Sequence, residues 1–293
     1  MRQVKGKSDR VGRRFGAVIL ALSCSLAVPA WAEDLKQKTV DRFQHYVELS
    51  EAQMDAPSRR QGPYLWVERL GQDRRATADA QLRAGEVVIE RLETPDPGGL
   101  LNPMTVPDGM IHHWIGTVFI PGSTLAQTLT LEQDYDHHQD YFRPDVMRSK
   151  ILRHDGKDFT IALRLCKKRV ITTVLDTEHE VHYEMVDSTR AWSRSQTTRI
   201  QEVENAGEKD ERLQPPGHDR GFLWRMNTYW RFEQKDGGTY VECQSISLTR
   251  DIPAGLGWLI GPYVTSVPRQ SLTFTLATTR SAVLGRIKAP AAP

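Results

Sequence analysis

The C-terminal third of the chain holds the feature that most restricts its fold, two alternating segments joined by Asp236-Gly237-Gly238. The segments cover residues 222–232 and 239–248. Glycine adopts the positive φ values that a short connection between antiparallel strands needs. The pattern therefore predicts a β-hairpin. The segment at residues 268–284 predicts a long helix that packs on the same sheet.

Period-two alternation along the first of these strands separates two sets of side chains. One face is predicted to carry the apolar side chains of Trp224, Met226, Trp230 and Phe232. The other face is predicted to carry the polar side chains of Arg225, Asn227, Arg231 and Glu233.

The rest of the chain predicts more sheet and few helices. Helices are predicted at residues 34–54 and from Ser123 or Thr124 to about residue 141. Strands are predicted at residues 85–92, 110–120, 147–153, 159–175 (bent near 167–169), 180–186 and 191–203, with loops at 95–107 and 204–221. Strands and helices do not alternate, which disfavours a parallel sheet. We therefore predict an α+β fold, a curved antiparallel sheet wrapped around a long C-terminal helix.

Several short motifs in this order resemble the helix-grip fold of the START-like (SRPBCC) superfamily. They are Trp230-Arg231-Phe232 before Gly237-Gly238, the run at residues 246–253, Pro268-Arg269 with Ser271-Leu272, and Tyr135 with the corner at residues 141–146. The resemblance covers residues 110–285. It implies a mostly apolar internal cavity for a hydrophobic small molecule or lipid. The superfamily has no universal catalytic motif, so the resemblance implies no catalytic residue.

Residues 1–32 have the composition of a signal peptide. A basic region ending at Arg13-Arg14 precedes an apolar run, and Ala30 and Ala32 predict cleavage after Ala32. The run is shorter than the ~20 residues of a membrane-spanning helix. We therefore expect an exported protein of bacterial type, either periplasmic or secreted. A lipoprotein site at Cys24 and a twin-arginine signal are weaker alternatives.

Four segments follow from these patterns. They are a signal peptide at residues 1–32, a helical and strand extension at 33–109, a START-like domain at 110–285 and a flexible tail at 286–293. The formal net charge of +2 includes the basic leader, and the remainder carries about −3. Nucleic acid, which needs a clustered basic face, is therefore not an expected partner. The oligomeric state stays open.

The candidate ligand-binding residues come from the hairpin, the terminal helix and the connection between them. They are Trp224, Met226, Trp230, Trp258, Leu259, Leu272, Thr275, Leu276 and Thr279. A helix with aliphatic and hydroxyl side chains suits an apolar pocket with a few polar groups, although ordinary core packing explains the pattern equally well. The apolar connection at residues 256–263, with Gly257 and Gly261 as hinges, is a candidate lid.

No cofactor or metal is predicted, because no phosphate-binding loop, dinucleotide fingerprint or zinc motif occurs. Asp134 and His138 have the i, i+4 spacing of metal ligands but no evident third ligand, so a solvated helix end is favoured. His112 and His113 lie on opposite faces of a strand. Cys166 and Cys243 are expected to be two separate buried thiols, with a disulfide as the alternative.

Three functions are compatible with the sequence. The first is binding, and by extension transport, of a hydrophobic small molecule or lipid, for which transient membrane contact is plausible. The second is a cyclase- or hydrolase-like enzyme, for which Arg199, Tyr183, Glu242 and Asn227 are candidate inward polar groups. The third is a non-catalytic structural or interaction protein that uses residues 33–109 as an arm.

Overall fold

The computed structural model describes six segments of the chain, with the backbone alone at residues 257–265. The segments are residues 35–55, 62–96, 104–168, 172–215, 218–252 and 257–288. Every described residue belongs to one compact unit, residues 32–293. The predicted signal peptide lies outside the described residues. Within the described part of the chain, no helix is long and apolar enough to span a bilayer.

The N-terminal extension forms four elements. They are helix α1 (Gln37–Asp55), a 3-10 turn (Trp66–Arg69), helix α2 (Gln72–Ala84) and strand β1 (Val88–Arg91). The first and last confirm the predicted helix and strand. The sequence leaves residues 64–84 unassigned, but Gly85 ends α2 with a φ of 85° and donates its N–H to the carbonyls of Gln81 and Leu82.

Strand β2 (Gly109–Pro121) is followed by helix α3 (Leu125–Glu132), a 3-10 turn (Tyr135–His137) and the short helix α4 (His138–Tyr141). Thr124 caps α3 as predicted. Its hydroxyl accepts from Gln127 N at 3.2 Å, and the Gln127 side chain accepts from Thr124 N at 2.9 Å. The single helix predicted through residue 141 is wrong, since the 3-10 turn interrupts it.

Seven more strands and the terminal helix complete the domain. They are β3 (Val146–Asp155), β4 (Asp158–Lys168), β5 (Thr172–Met185), β6 (Arg190–Glu204), β7 (Arg212–Leu213), β8 (Arg225–Lys235), β9 (Gly238–Arg250) and helix α5 (Gly257–Lys288). The predicted β8–β9 hairpin is confirmed, with positive φ at Asp236 and Gly237.

The single bent strand predicted at residues 159–175 is wrong. Strand β4 ends at Lys168, and β5 runs without interruption through residues 176–178, which lie between two of the predicted strands. Asp176 has turn-like polarity, but it lies on the solvent face of the strand and accepts two hydrogen bonds from Arg164, at 2.6 and 2.7 Å. The intervening Thr177 is buried.

The strands form one antiparallel sheet in the order β1-β2-β9-β8-β6-β5-β4-β3, and β7 pairs with β6. The sheet is curved, and α5 packs against one face, which we call the inner face. The predicted α+β architecture is confirmed. Strand β1 extends the sheet beyond β2 and belongs to the N-terminal extension.

Helix α5 is longer than predicted at both ends. The sequence predicts a start at Pro268, but the helix begins at Gly257 and passes through this proline. Gly257 and Gly261, the predicted hinges of a lid, therefore lie in helical backbone, and the lid is not a separate loop. At the other end, the helix continues to Lys288 and includes the start of the predicted tail.

The inner-face core is built where α5 crosses β2. Val118, Phe232, Val241 and Leu276 are buried there together. A Cβ atom on Gly116 would lie 2.7 Å from Leu276 Cδ1, so the glycine permits the close approach of α5 to the sheet.

Helix α1 covers the opposite, outer face of the sheet. Phe43 and Val47 pack there with Ile246 and Leu248 of β9. Trp224 belongs to this outer cluster, which corrects the prediction that it shares a face with Phe232. The reason is that Trp224 precedes β8, and its indole N–H donates to Asp219 at 3.1 Å.

Candidate ligand site on the inner face

The register of the sheet aligns five residues in one row across the inner face. Tyr183 lies opposite Ser193, Ser193 opposite Trp230, Trp230 opposite Cys243, and Cys243 opposite Gly116. Because side chains directly opposite in an antiparallel sheet are neighbours on one face, these groups adjoin each other beneath α5. The row joins a phenol, a hydroxyl, an indole and a thiol.

The next row along the strands adds further hydroxyl groups. Ser195, Thr228 and Ser245 lie opposite one another on β6, β8 and β9, and Trp114 lies opposite Ser245 on β2. Thr228, Ser245 and Trp114 are only half-buried, although they lie on the face that α5 covers. The same is true of Trp230. These four side chains therefore remain partly exposed on the face against which α5 packs.

A buried carboxyl group stands above the first row. Glu132, the last residue of α3, is 5% exposed. The Thr279 hydroxyl on α5 donates a hydrogen bond to Glu132 Oε1 at 2.9 Å. Burial raises the pKa of Glu132 to about 7, and the Thr279 hydrogen bond offsets part of this rise. This carboxyl group therefore changes charge near neutral pH.

Two tyrosines lie beside this carboxyl group. The hydroxyl groups of Tyr135 and Tyr183 are 2.7 Å apart, and burial raises the pKa of both phenols, with the charge of Glu132 adding to the rise. His138 Nε2 donates to the Glu132 backbone carbonyl at 3.1 Å, and burial lowers the pKa of this imidazole to about 4. The phenols and the imidazole are therefore neutral at physiological pH.

Ser193 completes the polar group. Its side chain is 2% exposed, and its hydroxyl oxygen makes no hydrogen bond of normal geometry with any described residue. The hydroxyl still lies close enough to Tyr183 to lower the pKa of that phenol slightly. A buried hydroxyl without a proper partner is unusual in a folded protein. We call Glu132, Tyr135, Tyr183, Ser193 and Thr279 the inner-face cluster.

The structure brings together five of the nine predicted ligand-binding residues. Met226 and Trp230 lie half-buried on the sheet, Leu272 and Leu276 pack from α5 against β2, and Thr279 joins the inner-face cluster.

The other four predicted ligand-binding residues are not placed in this group. Thr275 is half-buried on α5. The side chains of Trp258 and Leu259 lie outside the described residues. Trp224 packs under α1 on the outer face.

Of the four inward polar groups considered for an enzyme, Tyr183 alone lies in the inner-face cluster. Arg199 is exposed and pairs with Glu178 on the solvent side. Asn227 lies in the outer-face register. Glu242 is buried on the outer face, where it accepts from Trp66 N at 2.5 Å and lies 3.4 Å from Arg231 Nη1.

The histidine and acidic pairs have separate partners. His112 bonds Thr249 at 2.9 Å, and His113 bonds Tyr46 at 2.8 Å, so the two imidazoles lie on opposite faces as predicted. Asp134 contacts His137 and Arg286, whereas the neighbouring His138 is buried against Glu132. Among the described residues, no group of three or more histidine, cysteine or acidic side chains has the arrangement of a metal site.

Both described cysteines are free and buried, which confirms the favoured prediction. Cys166 packs with Val174 and Val203, and Cys243 lies in the inner-face core. Three strands separate β4 from β9, which places the thiols far beyond disulfide reach.

Two depressions lie away from this face. One, of about 340 Å³, is lined by residues of α2 and β1, and another, of about 310 Å³, lies between α2 and the β8–β9 turn. Their linings carry exposed ion pairs, such as Arg74 with Glu90. Neither depression adjoins the inner-face cluster.

No protein-family model and no curated protein matches this sequence. Solved structures show likeness in fold at low identity. A STAR-related lipid transfer protein from Xanthomonas axonopodis is 16% identical, with 67% of this chain and 93% of that chain covered and a TM-score of 0.43. The Zhui aromatase/cyclase from Streptomyces sp. R1128 is 12% identical, with 63% and 100% covered and a TM-score of 0.40.

The lipid transfer and protein localization domain of human StarD13 is 8% identical to this chain, with 73% and 98% covered and a TM-score of 0.40. The strand order of the chain itself places β2 beside β9, and α5 packs across the inner face, which is a helix-grip arrangement. The resemblance stated from the sequence is confirmed at the level of the fold.

Proposed function

We propose that the inner face binds a hydrophobic small molecule or lipid. The observation that carries this proposal is the partial exposure of Trp114, Met226 and Trp230 on a face that α5 covers. Large apolar side chains with access to space beneath a helix are typical of ligand pockets, in which a few polar groups fix the orientation of the ligand. Thr228 and Ser245 provide such groups within the same rows. Transport would follow from reversible binding.

The test is native mass spectrometry of protein purified from its producing cells, followed by organic extraction. We expect a co-purifying apolar molecule. A recombinant variant with Ser245→Trp would fill the space and lose this molecule. The matched variant Gln196→Trp places the same side chain on an exposed outer position of β6 and would keep it. A bare chain that binds no apolar probe would refute the proposal.

We also propose that the chain is exported. The basic, apolar and small-residue regions at residues 1–32 support this, with cleavage after Ala32. The intact mass of the protein in its native compartment should correspond to a chain that begins at Glu33. A mass that retains residues 1–32 would contradict export by this route.

A second candidate function is enzymatic, and one observation favours it. Glu132 lies beside the Tyr135–Tyr183 pair, and its raised pKa of about 7 is in the range where a carboxyl group transfers protons efficiently. A cyclase- or hydrolase-like reaction would use this pair as acid and base. If the extracted molecule is converted by the native protein but not by a Glu132→Gln variant, the enzymatic function takes precedence over simple binding.

A further inference from the structure

The chemistry of the inner-face cluster bears on which ligand the proposed site accepts. Ser193 has a buried hydroxyl group that makes no hydrogen bond of normal geometry with a described residue and lies in a row with Tyr183 and Trp230. Leaving a buried donor or acceptor unsatisfied costs free energy. A ligand that brings an oxygen atom to this row would satisfy the hydroxyl, because a serine hydroxyl both donates and accepts.

The neighbouring groups can also donate and accept hydrogen bonds without carrying a positive charge. Tyr135 and Tyr183 are neutral phenols joined by a hydrogen bond. Glu132 accepts a hydrogen bond from the Thr279 hydroxyl. Cys243 lies near enough to Glu132 for the charge of this carboxyl group to add to the rise that burial causes in the pKa of the thiol.

The arginines of the described part of α5 that lie near this cluster have other partners. Among the described residues, no lysine or arginine contributes to the pKa of Glu132. Arg286 on α5 pairs with Asp134 and Tyr141, and Arg280 donates to the Phe119 carbonyl at 3.1 Å. A carboxylate or phosphate brought into this apolar region would be buried without a counter-ion, beside a group that is itself acidic. Burial of an unpaired charge is strongly unfavourable.

We infer that the inner-face cluster selects an uncharged, oxygen-bearing apolar molecule, such as a long-chain alcohol or ketone, over the carboxylate of the same chain length. This inference rests on the proposed function and specifies its ligand class. The half-buried apolar side chains of Trp114, Met226 and Trp230 suit the hydrocarbon part of such a molecule. Ser193 and Tyr183 would hold its oxygen.

The test compares three ligands of equal chain length, 1-dodecanol, 2-dodecanone and dodecanoate, by isothermal titration calorimetry at about pH 8, where a fatty acid is ionised. We expect the alcohol and the ketone to bind at least about tenfold more tightly than the carboxylate. Ser193→Ala should weaken dodecanol binding about threefold to tenfold through the lost hydrogen bond. Ser188→Ala, in the exposed β5–β6 turn, should leave it unchanged.

Glu132→Gln provides a second, independent test. It removes the acidic group beside the ligand's oxygen and keeps the shape of the side chain. We expect it to narrow the difference between dodecanol and dodecanoate. Equal affinity for alcohol and carboxylate in the native protein would overturn the inference and leave the proposed function standing. An unchanged preference for dodecanol over dodecanoate in both Ser193→Ala and Glu132→Gln would likewise overturn the inference and leave the proposed function standing. If none of the three ligands binds and no apolar molecule is extracted, the proposed function fails and the inference fails with it.

Discussion

Glu132→Gln should change how the stability of the protein depends on pH. The ordinary pKa of this carboxyl group is 4.5, and burial raises it to about 7 in the folded protein. Between these values the folded state keeps a proton that the unfolded state has released, so the free energy of unfolding falls as pH rises. At about 1.4 kcal/mol per pKa unit, the full effect is about 3 kcal/mol above pH 7 and zero below pH 4.5.

The glutamine variant removes this effect, because its amide cannot ionise and its oxygen can still accept from Thr279. We therefore expect the variant to match the native protein in stability near pH 4 and to exceed it by up to about 3 kcal/mol near pH 8. The groups that face Glu132 are Thr279, Cys243, Tyr135 and Tyr183, and burial keeps the thiol and the phenols neutral across this range.

Urea unfolding, followed by tryptophan fluorescence at a series of pH values, measures this difference. With a denaturant dependence of about 3 kcal/mol per molar, the midpoint should shift by about 1 M at the alkaline end. Glu208→Gln, at an exposed position, is the matched control and should leave the curve unchanged. A native-minus-variant difference that stays constant across the range would show that the pKa of Glu132 is the same in the folded and unfolded protein, and the reasoning would be wrong.

Three further predictions follow from buried contacts. Burial lowers the pKa of His179 from 6.5 to about 4. Below pH 6.5 the unfolded protein therefore binds a proton that the folded protein does not, and the free energy of unfolding falls until the pH drops below about 4. His179→Gln should reduce this acid destabilisation by up to about 3 kcal/mol, measured by unfolding at several pH values. Gly116→Ala should cost about 1–3 kcal/mol, because the new methyl group meets Leu276 on α5, whereas Gly71→Ala, with no atom within 4 Å, should be nearly neutral in thermal unfolding. Thr279→Val should cost about 1 kcal/mol and raise the pKa of Glu132 further, which the pH dependence of unfolding would reveal as a transition moved upward.

The fold was predictable from the sequence because its strongest signals are local. Asp236-Gly237 specifies the β8–β9 turn through positive φ, and Thr124 specifies the start of α3 through its capping box. The errors came where local polarity and tertiary position disagree. Asp176 looks like a turn residue, but Arg164 on the neighbouring strand pairs with it, so the strand continues. Pro268 looks like a helix start, but the helix extends beyond it in both directions.

Part of the candidate site could not be predicted from the sequence, because its burial depends on tertiary contacts. Trp230, Met226 and Thr279 could be found because alternation and helical spacing identify faces. Glu132 at the end of a helix has the pattern of a solvated residue, and its burial arises only when α5 packs over α3. Ser193 is an ordinary polar residue in a strand until the register places it between Tyr183 and Trp230. The burial of a residue and its cross-strand neighbours depend on the whole fold. Period-two alternation along one strand does not predict either of them.

The composition of the inner-face cluster favours binding over a purely structural role for this face. At neutral pH, a buried carboxyl group with a raised pKa and a buried hydroxyl without a proper partner both lower the stability of the fold. Apolar residues of similar size at Glu132 and Ser193 would pack this region at lower free energy, as they do at Val118 and Val241 in the adjoining row. Polar groups that weaken a core are typical of sites in which a ligand supplies the missing partners. If the face served packing alone, the double variant Glu132→Leu with Ser193→Ala would be more stable than the native protein and would bind the extracted molecule unchanged. We expect the gain in stability together with loss of the ligand.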